Sequence, residues 1–145
     1  MSTTLAVGLD GVVSGERALA FGKQLAALID DVEILVVYII EWSPYSFQTA
    51  EENAQRHKRR EEEIATAMER VVSPEVTKLQ GEGFKARGIV RHGDVAAALD
   101  AVCVEEKVAQ LIVSRSSEGG FTKRLFGSST ANLVMNARVP VTVVG

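Results

Sequence analysis

Cysteine is almost missing from this chain of 145 residues: there is one, Cys103. That excludes a disulfide framework and a cysteine-built zinc site, and it fits a reducing compartment. Proline is scarce too, at 3 residues against 12 glycines, so the chain is neither collagen-like nor of low complexity. Neither sign of charge dominates: 16 Lys and Arg stand against 19 Asp and Glu, a formal charge of −3. A nucleic-acid binder working through general electrostatics is therefore not expected. No apolar run approaches the roughly 18 residues of a membrane span. The start, Met1-Ser-Thr-Thr4, lacks a basic stretch followed by an apolar one. No signal peptide is expected, and a cytoplasmic location is.

The catalytic and nucleotide motifs most easily read from sequence are also missing. There is no G-x-x-x-x-G-K-[ST] phosphate loop and no G-x-S-x-G nucleophile elbow. Gly81-Glu-Gly-Phe-Lys-Ala86 fits a loose G-x-G-x-x-A but leads into a strand, where that motif has no function. Only 2 histidines occur, His57 and His92, and neither comes with a set of partners. No grouping of His, Cys, Asp and Glu has metal-ligand spacing, so no metal site and no catalytic set is assigned.

What is present is an ordinary globular composition, 46% hydrophobic and 24% charged. At this length one domain, residues 1–145, buries about two-thirds of its unfolded surface. Leu5–Leu9 is a short apolar run stopped by Asp10-Gly11, a strand and a turn. From Ser14, a fitting N-cap, to Ile29 the apolar residues recur at helical spacing. Val32–Ile40 is β-branched and almost wholly apolar, the pattern of a strand covered on both faces. A long helix is predicted over Thr49–Val72, with a shorter one resuming after Pro74. Its first half is polar, and the basic run Arg56–Arg60 meets Glu61–Glu63 in the i,i+4 pairs Lys58–Glu62 and Arg59–Glu63. A third strand, Phe84–Arg91, alternates like an edge strand. Asp94 fits the N-cap of a helix running to Lys107. Gln110–Ser114 is the fourth strand, Gly127–Ala137 a helix, and Val139–Val144 the last strand. Strict alternation of strands and helices means a parallel α/β sheet flanked by helices.

Ligands of such sheets lie beyond the carboxyl ends of the strands. The loop from Ser114 to Ser128 contains Gly119-Gly120 and runs into a helix opening with Gly127-Ser-Ser-Thr130. Two readings fit it. Backbone N–H groups, the helix dipole and the hydroxyls of Ser128 and Ser129 suit a phosphate; equally, Ser128 caps its helix and the glycines form a surface turn.

Taken with these residues, the whole chain resembles the universal stress protein family. The resemblance lies in the opening strand, Asp10-Gly11 and the following helix, in Val36-Val-Tyr-Ile-Ile40, in Gly93-Asp-Val95 and in the ending Pro140-Val-Thr-Val-Val144. It implies a five-stranded parallel sheet of order 3-2-1-4-5, similar to the adenine nucleotide alpha hydrolase-like folds. The family's nucleotide signature is Gly, two residues, Gly, nine residues, then Gly with Ser or Thr. Its last pair falls on Gly127-Ser128, and its two leading glycines fall on Ser114 and Ser117. A serine Cβ penalises positive φ and close backbone approach, while its hydroxyl offers a hydrogen bond of its own.

By the resemblance, an adenine nucleotide (ATP, ADP or AMP) would sit beyond Leu9, with Asp10 at the ribose or base and the backbone of Ile39 at the adenine edge. Val113 and Ser114 would line the ribose side, and Ser117, Gly127, Ser128 and Ser129 the phosphates. In the family order the strand 139–144 is an edge, and an apolar edge is a liability unless covered, so a homodimer through it is expected. The His-x-Gly-His and Ser-Gly-Gly-x-Asp-Ser loops of related nucleotide-transfer enzymes are not in the chain. Any activity is then slow ATP hydrolysis at most. The rival is a stress protein of the same fold that acts through dimerisation and partner contacts without a nucleotide.

Overall fold

The computed structural model describes residues 2–9, 15–41, 50–115 and 130–145. Strands β1 (Thr3–Leu9), β2 (Val32–Glu41), β3 (Lys85–Gly93), β4 (Gln110–Ser114) and β5 (Val141–Val144) form one sheet in the order β3-β2-β1-β4-β5. Every neighbouring pair is parallel. Helices α1 (Gly15–Ala27), α2 (Ala50–Ala67), α3 (Ser73–Gly81) and α4 (Val95–Glu105) connect them, and a further helix, α5, covers 130–136. The sheet order is the one the family resemblance implied.

The near-continuous apolar strands are explained by two cores, one on each face of the sheet. Leu5, Val7, Ile34, Val36 and Ile112 pack with Ala18 and Leu19 of α1 and with Val72 and Leu79 beyond α2. The alternate residues Ala6, Leu35, Val37, Leu111 and Val113 pack with Leu99, Val102 and Cys103 of α4 and Leu133 of α5. Burying each large aliphatic side chain contributes about 1.5–3 kcal/mol before conformational entropy is subtracted, which makes these stripes the main force assembling the sheet. Asp94 caps α4, its carboxylate accepting the N–H of Ala97 at 3.0 Å. Asp100 ties α5 to α4 by accepting the backbone N–H of Arg138 at 2.8 Å and its Nε at 2.7 Å. β3 lies at the sheet edge, as its alternation indicated, and its Arg87 bonds Glu33 of β2 and Glu106 after α4.

Two expectations are corrected. Pro74 does not interrupt the long helix. A wide turn over Met68–Val72, in which the Ser73 N–H donates to the Met68 carbonyl, joins α2 directly to α3. Pro74 then stands in the first turn of α3, where its missing N–H is not needed. The charge pairs on α2 also differ. An i,i+4 pair joins His57 to Glu61 at 3.0 Å, while Glu63 faces His92 of β3 with 3.4 Å between Oε2 and Nε2. A carboxylate near the sheet follows whatever the neighbouring strand presents, and helix spacing alone carries no record of that.

Candidate crevice at the β1–β4 junction

The winding of this sheet reverses between β1 and β4, and there a parallel sheet opens a crevice. The register makes the opening explicit. β1 stays paired with β2 as far as Leu9–Tyr38, and β4 with β5 as far as Ser114–Val144. The ladder between β1 and β4, however, ends at Val7–Ile112. The pairing of these two strands therefore stops two residues short of the end of each.

Of the residues singled out from the sequence, the structure brings four to this edge. Leu9 and Ser114 stand on the α1 side of the sheet, whereas Ile39 and Val113 belong to the α4 side. All four are buried. Asp10, Ser117, Gly127, Ser128 and Ser129 lie outside the described residues.

Helix α1 starts directly over the crevice. A Cβ on Gly15 would lie 2.6 Å from Leu9 Cδ2 and 3.6 Å from its Cα, so the first turn of α1 seats directly on Leu9 and a side chain there would displace the Leu9 side chain. Close seating brings the α1 amides to β4. The Ala18 N–H donates to Ser114 Oγ at 3.1 Å, and Ser114 is 2% exposed. Ala18 lies in the first turn of α1, so the bond ties the start of that helix to the end of β4. The sequence carried no local signal for this bond, because its partners are 96 positions apart.

The same geometry answers the question posed by serine in place of glycine at 114. Among the described residues, positive φ at a non-glycine occurs only at Asp31 and Lys107. Ser114 thus bears no left-handed strain for a glycine to relieve, and its hydroxyl is committed to α1. What the described residues offer at the crevice is apolar contact from Leu9, Ile39 and Val113, where the pairing of the two strands has ended. Among the described residues no group of His, Cys, Asp and Glu is placed to hold a metal ion, and no helix is long and apolar enough to cross a membrane.

Comparison with known proteins extends these observations. Solved structures similar to this chain include the universal stress protein UspA from Lactobacillus plantarum, at 14% identity and a TM-score of 0.78 over 99% of this chain and 97% of that one. A universal stress protein family protein from Arabidopsis thaliana with AMP bound is 17% identical, with a TM-score of 0.61 over 98% and 90%. The universal stress protein from Archaeoglobus fulgidus in complex with dAMP is 14% identical, with a TM-score of 0.61 over 100% and 98%. At these identities the likeness is one of fold. No functionally curated protein matches the chain. The family model for universal stress proteins matches residues 1–145. On that full-length match, joined to the sheet order and the open β1–β4 junction, the chain belongs to the universal stress protein family.

Proposed function

We propose that the protein binds an adenine nucleotide at the β1–β4 crevice as a regulatory ligand, in a homodimer. The observation that carries this reading is the end of β1–β4 pairing at Val7–Ile112, under the start of α1, in a chain of this family. The AMP and dAMP held by the Arabidopsis and Archaeoglobus relatives support the choice of ligand. Asp10 and Ile39 would serve the base and ribose, and Ser117, Gly127, Ser128 and Ser129 the phosphates. Titration calorimetry with ATP, ADP and AMP at millimolar concentration tests the reading, together with mass spectrometry of small molecules released on denaturation. Absence of heat, thermal shift and released nucleotide would refute it. Gly127→Val is expected to abolish binding, because a branched side chain would crowd the phosphate position.

The dimer would form along β5, the exposed sheet edge, where Val143 is 38% exposed. Pairing with a twofold mate would satisfy the edge backbone. Light scattering that returns a mass of 15.6 kDa at micromolar concentration would exclude it. One observation favours the rival reading, action through partner contacts alone: the Ser114 hydroxyl, at a signature position, is already occupied by Ala18.

A further inference from the structure

A second cavity, of about 470 Å³, lies on the α1–α2 side of the sheet, between α2 and the carboxyl end of β2. Its floor is apolar: Tyr38 and Ile40 from β2, with Ala67 and Val71 where α2 passes into the wide turn. A helix covering a sheet normally presents an apolar stripe to it. Here Ile64, Ala67, Met68 and Val71 pack on the sheet, while Arg59, Glu62, Glu63 and Thr66, with Arg70 following in the wide turn, line the cavity from the exposed flank of the helix. Their spacing of three and four places them along one helical face. Charged and hydroxyl groups above an apolar floor do not close into a core, and the gap between them is the cavity. Its volume lies within the range of about 300–1,000 Å³ usual for small-molecule sites. Wide helical turns such as Met68–Val72 occur frequently at functional sites.

The charges choose the guest. Among the described residues, neither Arg59 nor Arg70 has a hydrogen bond or ion pair through its side chain, although Arg56, His57 and Arg60 on the same helix are all engaged. Glu63 is directed at His92, which leaves Glu62 as the unengaged carboxylate against two guanidinium groups. Beside the cavity, His92 stands in register with Ile40 and keeps Glu63 occupied, with 3.4 Å between Nε2 and Oε2. We propose that this cavity is a second small-molecule site that takes an organic acid, a carboxylate on a planar apolar body. The planar body lies on Tyr38 and Ile40, and the carboxylate is held by the arginines, whose planar forks match it in shape and charge.

The site is independent of the nucleotide reading, since its lining includes none of Leu9, Ile39, Val113 and Ser114. The test is an amide-resolved NMR titration of the full chain with indole-3-acetate, and separately with its uncharged amide. Expected are saturable shifts at residues 38–40 and 59–71 with the acid and much weaker ones with the amide. Arg59→Gln and Arg70→Gln should each weaken acid binding about tenfold, the scale of a lost charge-assisted bond. Thr66→Trp, at an exposed helix position, should fill the cavity and abolish binding while the melting temperature holds. Equal binding of acid and amide, no saturable shift at millimolar concentration, or shifts confined to the β1–β4 crevice and reversed by AMP would each overturn the proposal. A parallel AMP titration reports on the crevice alone, so failure of one site is distinguishable from failure of the other.

Discussion

The Ser114 hydroxyl at the end of β4 accepts the Ala18 N–H at the start of α1, 3.1 Å away. The first turn of α1 is thus tied to a strand residue from the far half of the chain by one side-chain bond. Removing the oxygen loses this bond, at a cost of about 0.5–1.5 kcal/mol. Ser114→Ala is therefore expected to lower the melting temperature by about 2–4 °C for each kcal/mol lost. Because Ser114 has no positive φ, Ser114→Gly should be at least as destabilising. Calorimetric unfolding of both variants decides it; a glycine variant more stable than the parent would contradict the assigned bond.

Gly88 in β3 stands directly under the wide turn. A Cβ there would run into Val72 Cγ1, with Val76 Cγ2 3.3 Å away and Met68 Sδ 3.6 Å away. Gly88→Ala should destabilise by about 1–3 kcal/mol through overpacking. Val72 is itself fully buried, so Val72→Ala should also be destabilising. Combined, the two changes should cost clearly less than their sum, by at least about 1 kcal/mol in a double-mutant cycle. Additive losses would show that the turn does not seat on Gly88.

Asp100 responds to two opposed influences. Burial pushes its carboxyl up, and the Arg138 backbone N–H, guanidinium bond and charge together hold it below its ordinary value of 3.8. A carboxylate depressed in the folded state contributes stability that is present above the ordinary carboxylate range and is lost as pH falls through the depressed value. Acid should therefore loosen the α4–α5 tie below about pH 4. Arg138 is largely exposed, so the ion pair adds about 1 kcal/mol or less. Asp100→Asn should remove that part of the acid dependence, measured as urea unfolding between neutral and acid pH. An unchanged pH profile would dissociate Asp100 from it.

Cys103 is fully buried in α4, and burial, with the charge of Asp100, pushes its thiol up to about 12. At neutral pH it is protonated, and the thiolate is the reactive form. Alkylation by iodoacetamide should proceed only through opening of the fold, with full labelling in denaturant. Rapid labelling of the native protein would contradict the packing of α4 on the sheet.

The elements that sequence pattern located best are those set by burial on two faces. Gln110–Ser114 and the start of β2 at Val32 coincide with the structure to the residue. A strand covered by helices on both sides must be apolar throughout, and that pattern is local and survives in the sequence. Asp94 was legible for a similar reason, since a cap contacts an amide three residues ahead. Pro74 misled because its effect depends on the turn before it, and the wide turn over Met68–Val72 removes the conflict that an ideal helix would have met. The Arg59–Glu63 pairing misled because Glu63 faces His92 on a strand that helix spacing does not see.

The sequence by itself determined the alternation of strands and helices and the two apolar faces, because hydrophobic periodicity and capping are short-range properties; the order 3-2-1-4-5 followed from the family resemblance. Only the tertiary structure decided the character of the sites. The early end of β1–β4 pairing, the capture of the Ala18 amide by Ser114 and the apolar floor beneath Arg59 and Arg70 each join groups distant in sequence. Their geometry is set by how closely α1 and α2 seat on the sheet, and that distance is fixed by packing.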